Sequence, residues 1–245
     1  MSNLVGVGVG PGDPGLVTLK AVHIFETADV ILVPAADTRD AEAGRAEAIV
    51  TEVCPGAAGR IRRIPFSMAA RSGVDERRSQ AWMASAIQAV SAFEAGARLV
   101  AFATIGDPSV YSTFSYLASE VRARIPDCQV SVVPGITAMQ ALAAASVTPL
   151  AEGQEVLALV PVTAGLETLD RALDCADTVV AYKVGRHLGD VTALLRERHR
   201  DEGAVLGVDV GLPDQTIVPL ADAQDAPYFS SLIIPPVRTQ TGGRL

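Results

Sequence analysis

Three short segments rich in glycine and proline carry the residues with which this chain could do chemistry. The first is Gly6-Val7-Gly8-Val9-Gly10-Pro11-Gly12-Asp13-Pro14. Glycine removes the side chain so that backbone can approach a ligand, and Pro11 and Pro14 fix the turn. A dinucleotide fingerprint, G-x-G-x-x-G, does not fit. Gly6-x-Gly8 is followed by Pro11 where the third glycine belongs, and Gly8-x-Gly10 by Asp13. The ribose-binding acid expected about 20 residues on is missing as well, because the next apolar run ends Leu32-Val33-Pro34. Nor does a Gly-Lys-Ser/Thr sequence stand where a Walker loop requires it. What remains is a backbone ligand site or a tight strand-to-helix turn.

Two further segments repeat this pattern. Ile105-Gly106-Asp107-Pro108-Ser109-Val110-Tyr111 follows the apolar run Leu99–Thr104, and Pro134-Gly135-Ile136-Thr137-Ala138 follows Val130–Val133. Asp107 and Thr137 are each suited to capping the helix that comes next. One such loop carries little weight. Three, each at the carboxyl end of a strand, point to one ligand crevice.

The elements that must hold these loops alternate along the chain. Leu4–Val9, Val30–Val33, Arg62–Ile64, Leu99–Thr104 and Val130–Val133 read as buried strands. Between them, Leu16–Ala28, Ala46–Val53, Arg77–Ala95 and Tyr111–Ile125 carry apolar residues at helical spacing. That alternation predicts an α/β fold, with a mostly parallel N-terminal sheet covered on both faces. A second series follows: helices near Thr137–Ala145, Leu166–Leu173 and Leu188–His199, and strands Val156–Leu159, Thr178–Ala181, Val205–Val208, Thr216–Val218 and Phe229–Ile233. The last strands read as an antiparallel meander, so the C-terminal sheet is expected to be mixed. The punctuation at Pro134-Gly135 divides the chain into lobes 1–134 and 135–245. Residues 35–45 read as a loop, and the tail from Pro235 as frayed.

Composition narrows the function. Among 245 residues, 20 are basic and 28 acidic, giving a net charge of −8, which disfavours nucleic acid as a partner. An apolar content of 49% with 20% charged residues excludes disorder. Cys54, Cys128 and Cys175 share no short spacing, so neither a disulfide framework nor a zinc site is expected, and the chain reads as cytoplasmic. No window reaches the length of a membrane span, and Met1-Ser2-Asn3 lacks a charged leader region.

Taken in order, the three loops resemble those of the tetrapyrrole methylases, enzymes that use S-adenosylmethionine (SAM). Val7–Pro14 followed by Leu16–Ala21 is similar to the family's opening motif, and Gly106-Asp107-Pro108 and Pro134-Gly135-Ile136-Thr137 to its second and third. The resemblance runs over nearly the whole chain. Gly106–Leu117, Tyr182-Lys183-Val184-Gly185-Arg186 and Gly211-Leu212-Pro213-Asp214-Gln215 are similar to the branch that methylates precorrin-2 at C-20 in cobalamin synthesis. The resemblance implies two α/β lobes, a homodimer, and SAM in the cleft between lobes. By motif position it implies SAM contacts from Pro11, Ile105, Gly106, Asp107, Val110, Thr137 and Ala138, joined by Val184 and Gly211 or Leu212. Relatives often carry Met in the segment that here reads Ala181-Tyr182-Lys183-Val184.

Methyl transfer suits these residue types. The sulfonium already activates the methyl, so the enzyme's task is positioning, and no metal or nucleophile–base pair is expected. For the proton that must leave the substrate, the candidates are Tyr111 and Asp107, with His187 beside them. His23 and His199 read as solvated. Trp82, Phe114 and Tyr116 read as helix packing. A precorrin bears many carboxylates, so an acidic protein must gather cations locally. Arg60, Arg62, Arg63, Arg71 and Arg77 lie within 18 residues and Arg78 follows; Arg62, Arg63 and Arg186 are the substrate-binding candidates, through bidentate pairing. The rival readings are the same methylation on a cobalt-bearing substrate, methylation at another position or on RNA, and a SAM-binding sensor without catalysis.

Overall fold

In the computed structural model, which describes residues 1–35, 43–65 and 76–238, each apolar run named above forms a strand. By its internal contacts the chain divides into two units, Met1–Thr137 and Ala138–Leu245. The first contains β1 (Asn3–Gly8), α1 (Leu19–Thr27), β2 (Val30–Ala35), α2 (Arg45–Val53), β3 (Ile61–Pro65), α3 (Glu76–Glu94), β4 (Leu99–Thr104), α4 (Phe114–Arg124) and β5 (Gln129–Val133). Its sheet has the order β3-β2-β4-β1-β5, and every pair is parallel.

Strand side chains alternate between faces, and here the alternation sorts two cores. Val5, Val7, Ile31, Val33, Ala101 and Ala103 pack with Ala21 and Phe25 of α1 and Ile49 and Val50 of α2. Leu4, Leu32, Ile64, Val100 and Phe102 turn the other way, against Ala86 and Ala89 of α3 and Leu117 and Val121 of α4. Burying a side chain such as Phe25 or Phe102 stabilises the fold by about 1.5–3 kcal/mol relative to leaving it exposed. The helices that follow β1 and β4 therefore cover opposite faces. These two neighbouring strands form the switch point, outside whose carboxyl ends α/β sheets bind ligands.

Two helices begin later than their periodicity predicts. Asp13 Oδ1 accepts from the Gly15 N–H at 2.7 Å and holds a single 3₁₀ turn at Pro14–Leu16, so α1 starts after Thr18, whose Oγ1 accepts from Ala21 N–H at 3.1 Å. Helix α4 starts at Phe114, because Tyr111 has φ 51° and Ser112 Oγ accepts the Phe114 N–H at 3.2 Å.

The second unit contains α5 (Ala138–Ala145), β6 (Leu157–Pro161), α6 (Leu166–Cys175), β7 (Thr178–Tyr182), α7 (Leu188–Glu197), β8 (Val205–Val208), β9 (Thr216–Pro219) and β10 (Ser230–Ile234). The sheet is mixed, in the order β6-β7-β10-β8-β9. Only β6 and β7 pair in parallel. The expected meander is corrected: β10 does not follow β9 at the edge but inserts between β7 and β8. Its five residues are all buried, whereas β9 has none buried, so burial favours β10 at the centre and β9 at the rim. Leu169, Leu173, Val191, Leu195, Leu206 and Leu232 form the core.

The frayed tail also needs correction. Pro235 is buried, and Arg238 donates to Glu155 through Nε at 2.9 Å and Nη2 at 2.6 Å. Order therefore reaches residue 238. Residues 239–245, and residues 36–42 of the loop read at 35–45, lie outside the described residues. No helix among the described residues is long and apolar enough to cross a membrane.

Asp29 fastens β2 to β4. Its Oδ2 accepts the N–H groups of Arg98 and Leu99 at 2.7 and 2.9 Å. Those bonds, that to Leu99 foremost, hold its carboxyl below the ordinary range. A depressed carboxylate stabilises the fold above its unfolded pKa of about 3.9, and that contribution is lost as pH falls through the folded value. Urea unfolding of D29N should therefore show a lower midpoint than wild type at pH 7, with the difference shrinking as the pH is lowered into the acid range.

Candidate functional site

The three glycine loops leave adjacent strands, because β4, β1 and β5 are neighbours in the sheet. Gly106 N–H donates to Gly10 O at 2.8 Å, forming an isolated antiparallel bridge, and Val9 N–H donates to Thr104 O at 3.0 Å. A Cβ on Gly8 would lie 2.5 Å from Gly106 O and 2.7 Å from the Gly135 Cα; one on Gly135 would strike the same carbonyl. The close approach for which these two glycines are needed is thus of loop to loop. Gly10 and Gly106 serve differently, as turns at φ 78° and 70°. Above Gly106 there is room, since a Cβ there would meet only the Thr137 Cα, at 4.0 Å.

Asp107 braces this junction. Its Oδ1 accepts the Ser109 N–H at 2.7 Å and its Oδ2 the Gly135 N–H at 2.9 Å, tying the second loop to the third. Both carboxylate oxygens are thereby engaged with backbone, which makes Asp107 a brace between the two loops. Tyr111 is 47% exposed and held at φ 51°, a left-handed conformation that costs a non-glycine residue roughly 1–2 kcal/mol. Partial burial raises its hydroxyl pKa, so the phenol keeps its proton. Behind it Thr104 Oγ1 and Ser112 Oγ are 3.1 Å apart. Thr137 and Pro11 are buried, while Ile105 and Val110 are half-buried.

In the second unit, the loops after β7 and β8 are similarly strained. Lys183 and Asp209 have φ 61° and 49°, and Gly185 and Gly211 have φ 32° and 88°. Val184 is fully buried in the apolar core. Gly211 N–H donates to Gln215 Oε1 at 3.1 Å, and Leu212 N–H to Asp209 O at 3.0 Å. Ala138 is the first residue of α5.

The arginine candidates separate. Arg63 forms a bidentate pair with Glu47 of α2, with Nε to Oε2 at 2.7 Å and Nη2 to Oε1 at 3.0 Å. That pair ties β3 to α2. Arg62, its neighbour on the strand, is exposed. Arg60 donates to the Ala28 carbonyl. Arg71 and the side chains of Arg77 and Arg78 lie outside the described residues. Arg186 is exposed, and its Nε donates to His187 Nε2 at 3.3 Å.

Two of the aromatics read as helix packing join α3 to α4. Trp82 of α3 and Tyr116 of α4 stack with centroids 4.0 Å apart. Trp82 is half-buried and Tyr116 exposed, so they are not simple core residues. Phe114 does pack inward, with its ring against Gly6. No sequence signal announced Glu47, whose partner Arg63 lies 16 residues away on another element.

The crystal structure of a uroporphyrin-III C-methyl transferase from Thermus thermophilus, complexed with S-adenyl homocysteine, has the same fold. It matches with a TM-score of 0.65 and 21% identity, over 96% of this chain and 92% of that one. The chain thus has the fold of a two-unit α/β methyltransferase, with its strand-end loops at the switch point. Residues 3–224 match the family described as Tetrapyrrole (Corrin/Porphyrin) Methylases, and the chain belongs to that family. Among its relatives, a precorrin-2 C(20)-methyltransferase from a Sinorhizobium species is 32% identical over 96% of both chains. A cobalt-precorrin-2 C(20)-methyltransferase from Salmonella typhimurium is 29% identical over 94% of this chain and 95% of its own.

The glycine junction can be tested by adding one carbon. Gly135→Ala puts a Cβ into backbone that cannot turn aside, and should destabilise the protein by about 1–3 kcal/mol in urea unfolding. Gly59→Ala, with nothing within 4 Å of its Cβ, should stay within about 0.5 kcal/mol of wild type.

Proposed function

We propose that this protein transfers the methyl group of SAM to C-20 of precorrin-2, metal-free or cobalt-bearing, in cobalamin synthesis. The observation that carries the reading is the 32% identity to a precorrin-2 C(20)-methyltransferase over 96% of both chains. The strand-end junction supports it locally: the space above Gly106 lets a cofactor lie against backbone, beside Ile105, Val110 and Thr137. Pro11 of the first unit is a further proposed SAM contact; Ala138, Val184, Gly211 and Leu212 of the second unit are proposed by motif position alone. A cytoplasmic homodimer belongs to the same proposal.

In the reaction, the electron-rich C-20 carbon forms a bond to the methyl as the methyl–sulfur bond breaks. The bonding pair stays on sulfur and leaves S-adenosylhomocysteine, and C-20 then gives up its proton. Catalysis is mainly alignment of carbon, methyl and sulfur. Tyr111 supplies a protonated hydroxyl at the loop edge, suited to orienting substrate and passing the proton on. Arg62 and Arg186, both exposed cations, answer the substrate's carboxylates.

The decisive measurement offers SAM with a ¹³C-labelled methyl and either metal-free or cobalt-loaded precorrin-2, then locates the label by NMR. Label at C-20 is expected, and the better substrate names the route. Label elsewhere, or no transfer, overturns the reading. Tyr111→Phe should lower kcat by about 10²-fold with the KM for SAM unchanged. Arg62→Ala should raise the KM for precorrin-2 several-fold while SAM affinity stays constant, read from initial rates and calorimetry.

A further inference from the structure

Strand β10 runs antiparallel to both β7 and β8. The segment entering it, Pro227–Ser230, therefore lies beside the ends of those strands, between the loops at 183–185 and 209–212. The backbone uses that placement on both sides. Lys183 N–H donates to Ser230 O at 2.9 Å, and Asp209 N–H donates to Phe229 O at 3.1 Å.

At the centre is the Ser230 hydroxyl. It accepts the Gly185 N–H at 3.0 Å and donates to Pro227 O at 2.8 Å, and Ser230 is only 3% exposed. The bond to Gly185 ties this loop to a central strand next to Lys183, a non-glycine residue held at φ 61°. Gly185 also packs closely on this segment, where a Cβ would lie 3.2 Å from Pro227 O. A left-handed lysine is costly without support, and a buried bond made to one atom of the same loop favours the form that contains it.

We infer that Ser230 is a positioning residue that fixes the loop at Lys183–Gly185 in the conformation whose backbone receives SAM. The inference rests on the cofactor reading given above and deepens it. Ser230 itself need not touch the cofactor. Its hydroxyl acts through Gly185, whose N–H it accepts, in the loop that also carries Val184.

The test uses the full chain and SAM binding by calorimetry, with Ser230→Ala, Ser230→Thr and Ser231→Ala. Ser231 is an equally buried serine one position along the strand and serves as the control. Ser230→Ala should weaken SAM about tenfold and raise the KM for SAM while kcat and the KM for precorrin-2 change little. Amide exchange should quicken at 183–185 ahead of the rest of the sheet. Ser230→Thr, which retains the oxygen, should recover most of the affinity. Wild-type binding that is unaltered in Ser230→Ala, or weakened equally in Ser231→Ala, overturns the inference alone. A wild-type chain that does not bind SAM overturns the cofactor reading and this inference with it.

Discussion

The contact of three loop backbones at the ends of β4, β1 and β5 is the constraint on which the first unit depends. Gly8, Gly106 and Gly135 meet at distances that no Cβ tolerates at the first or third position. Parallel strands about 4.8 Å apart leave little room between their terminal loops. Removing side chains lets the loops touch directly, and the Gly106-to-Gly10 bond and the Asp107 carboxylate then fix their register. A ligand arriving there meets backbone held by backbone, which suits a reaction that needs alignment more than reactive groups.

The surrounding sheet makes that junction possible. Val5 and Val7 face one helix layer while Leu4 and Phe114 fill the other, so the helices after β1 and β4 lie on opposite faces of the sheet. Gly6 shows how closely the layers press, because its missing side chain is occupied by the Phe114 ring. The same closeness explains why α4 cannot begin at Tyr111. The loop needs that residue at φ 51° to bring the chain around before helical geometry resumes.

The second unit solves a related problem with a different device. Its loops end strands of opposite direction, and a central antiparallel strand passes between them. Pro227–Ser230 thus bridges both loops with one short segment, and strain at Lys183, Gly185, Asp209 and Gly211 is held by bonds to that bridge and to Gln215. Charge is managed locally in a chain of net charge −8. Arg63 is matched to Glu47 and Arg238 to Glu155, whereas Arg62 and Arg186 are exposed to solvent.

The positions of the ten strands among the described residues were legible in the sequence, because apolar runs bounded by glycine and proline report their own local geometry. So were the three loops, whose residue types encode turns irrespective of what surrounds them. Which glycines faced other loops and which faced open space was not legible, since that depends on strand order. The same holds for Asp107, whose acceptors were visible as residue types but whose partner, the Gly135 N–H, lies 28 residues away. Arg62 and Arg63 look alike in sequence, and only the packing of α2 on the sheet gave one of them a carboxylate. The place of β10, and with it the role of Ser230, was decided by the competition of whole strands for the buried centre of a sheet. The sequence determined which segments pair and turn, through periodicity and backbone preference; the tertiary structure decided which atoms meet, because contacts between distant residues are set by the burial of the whole chain.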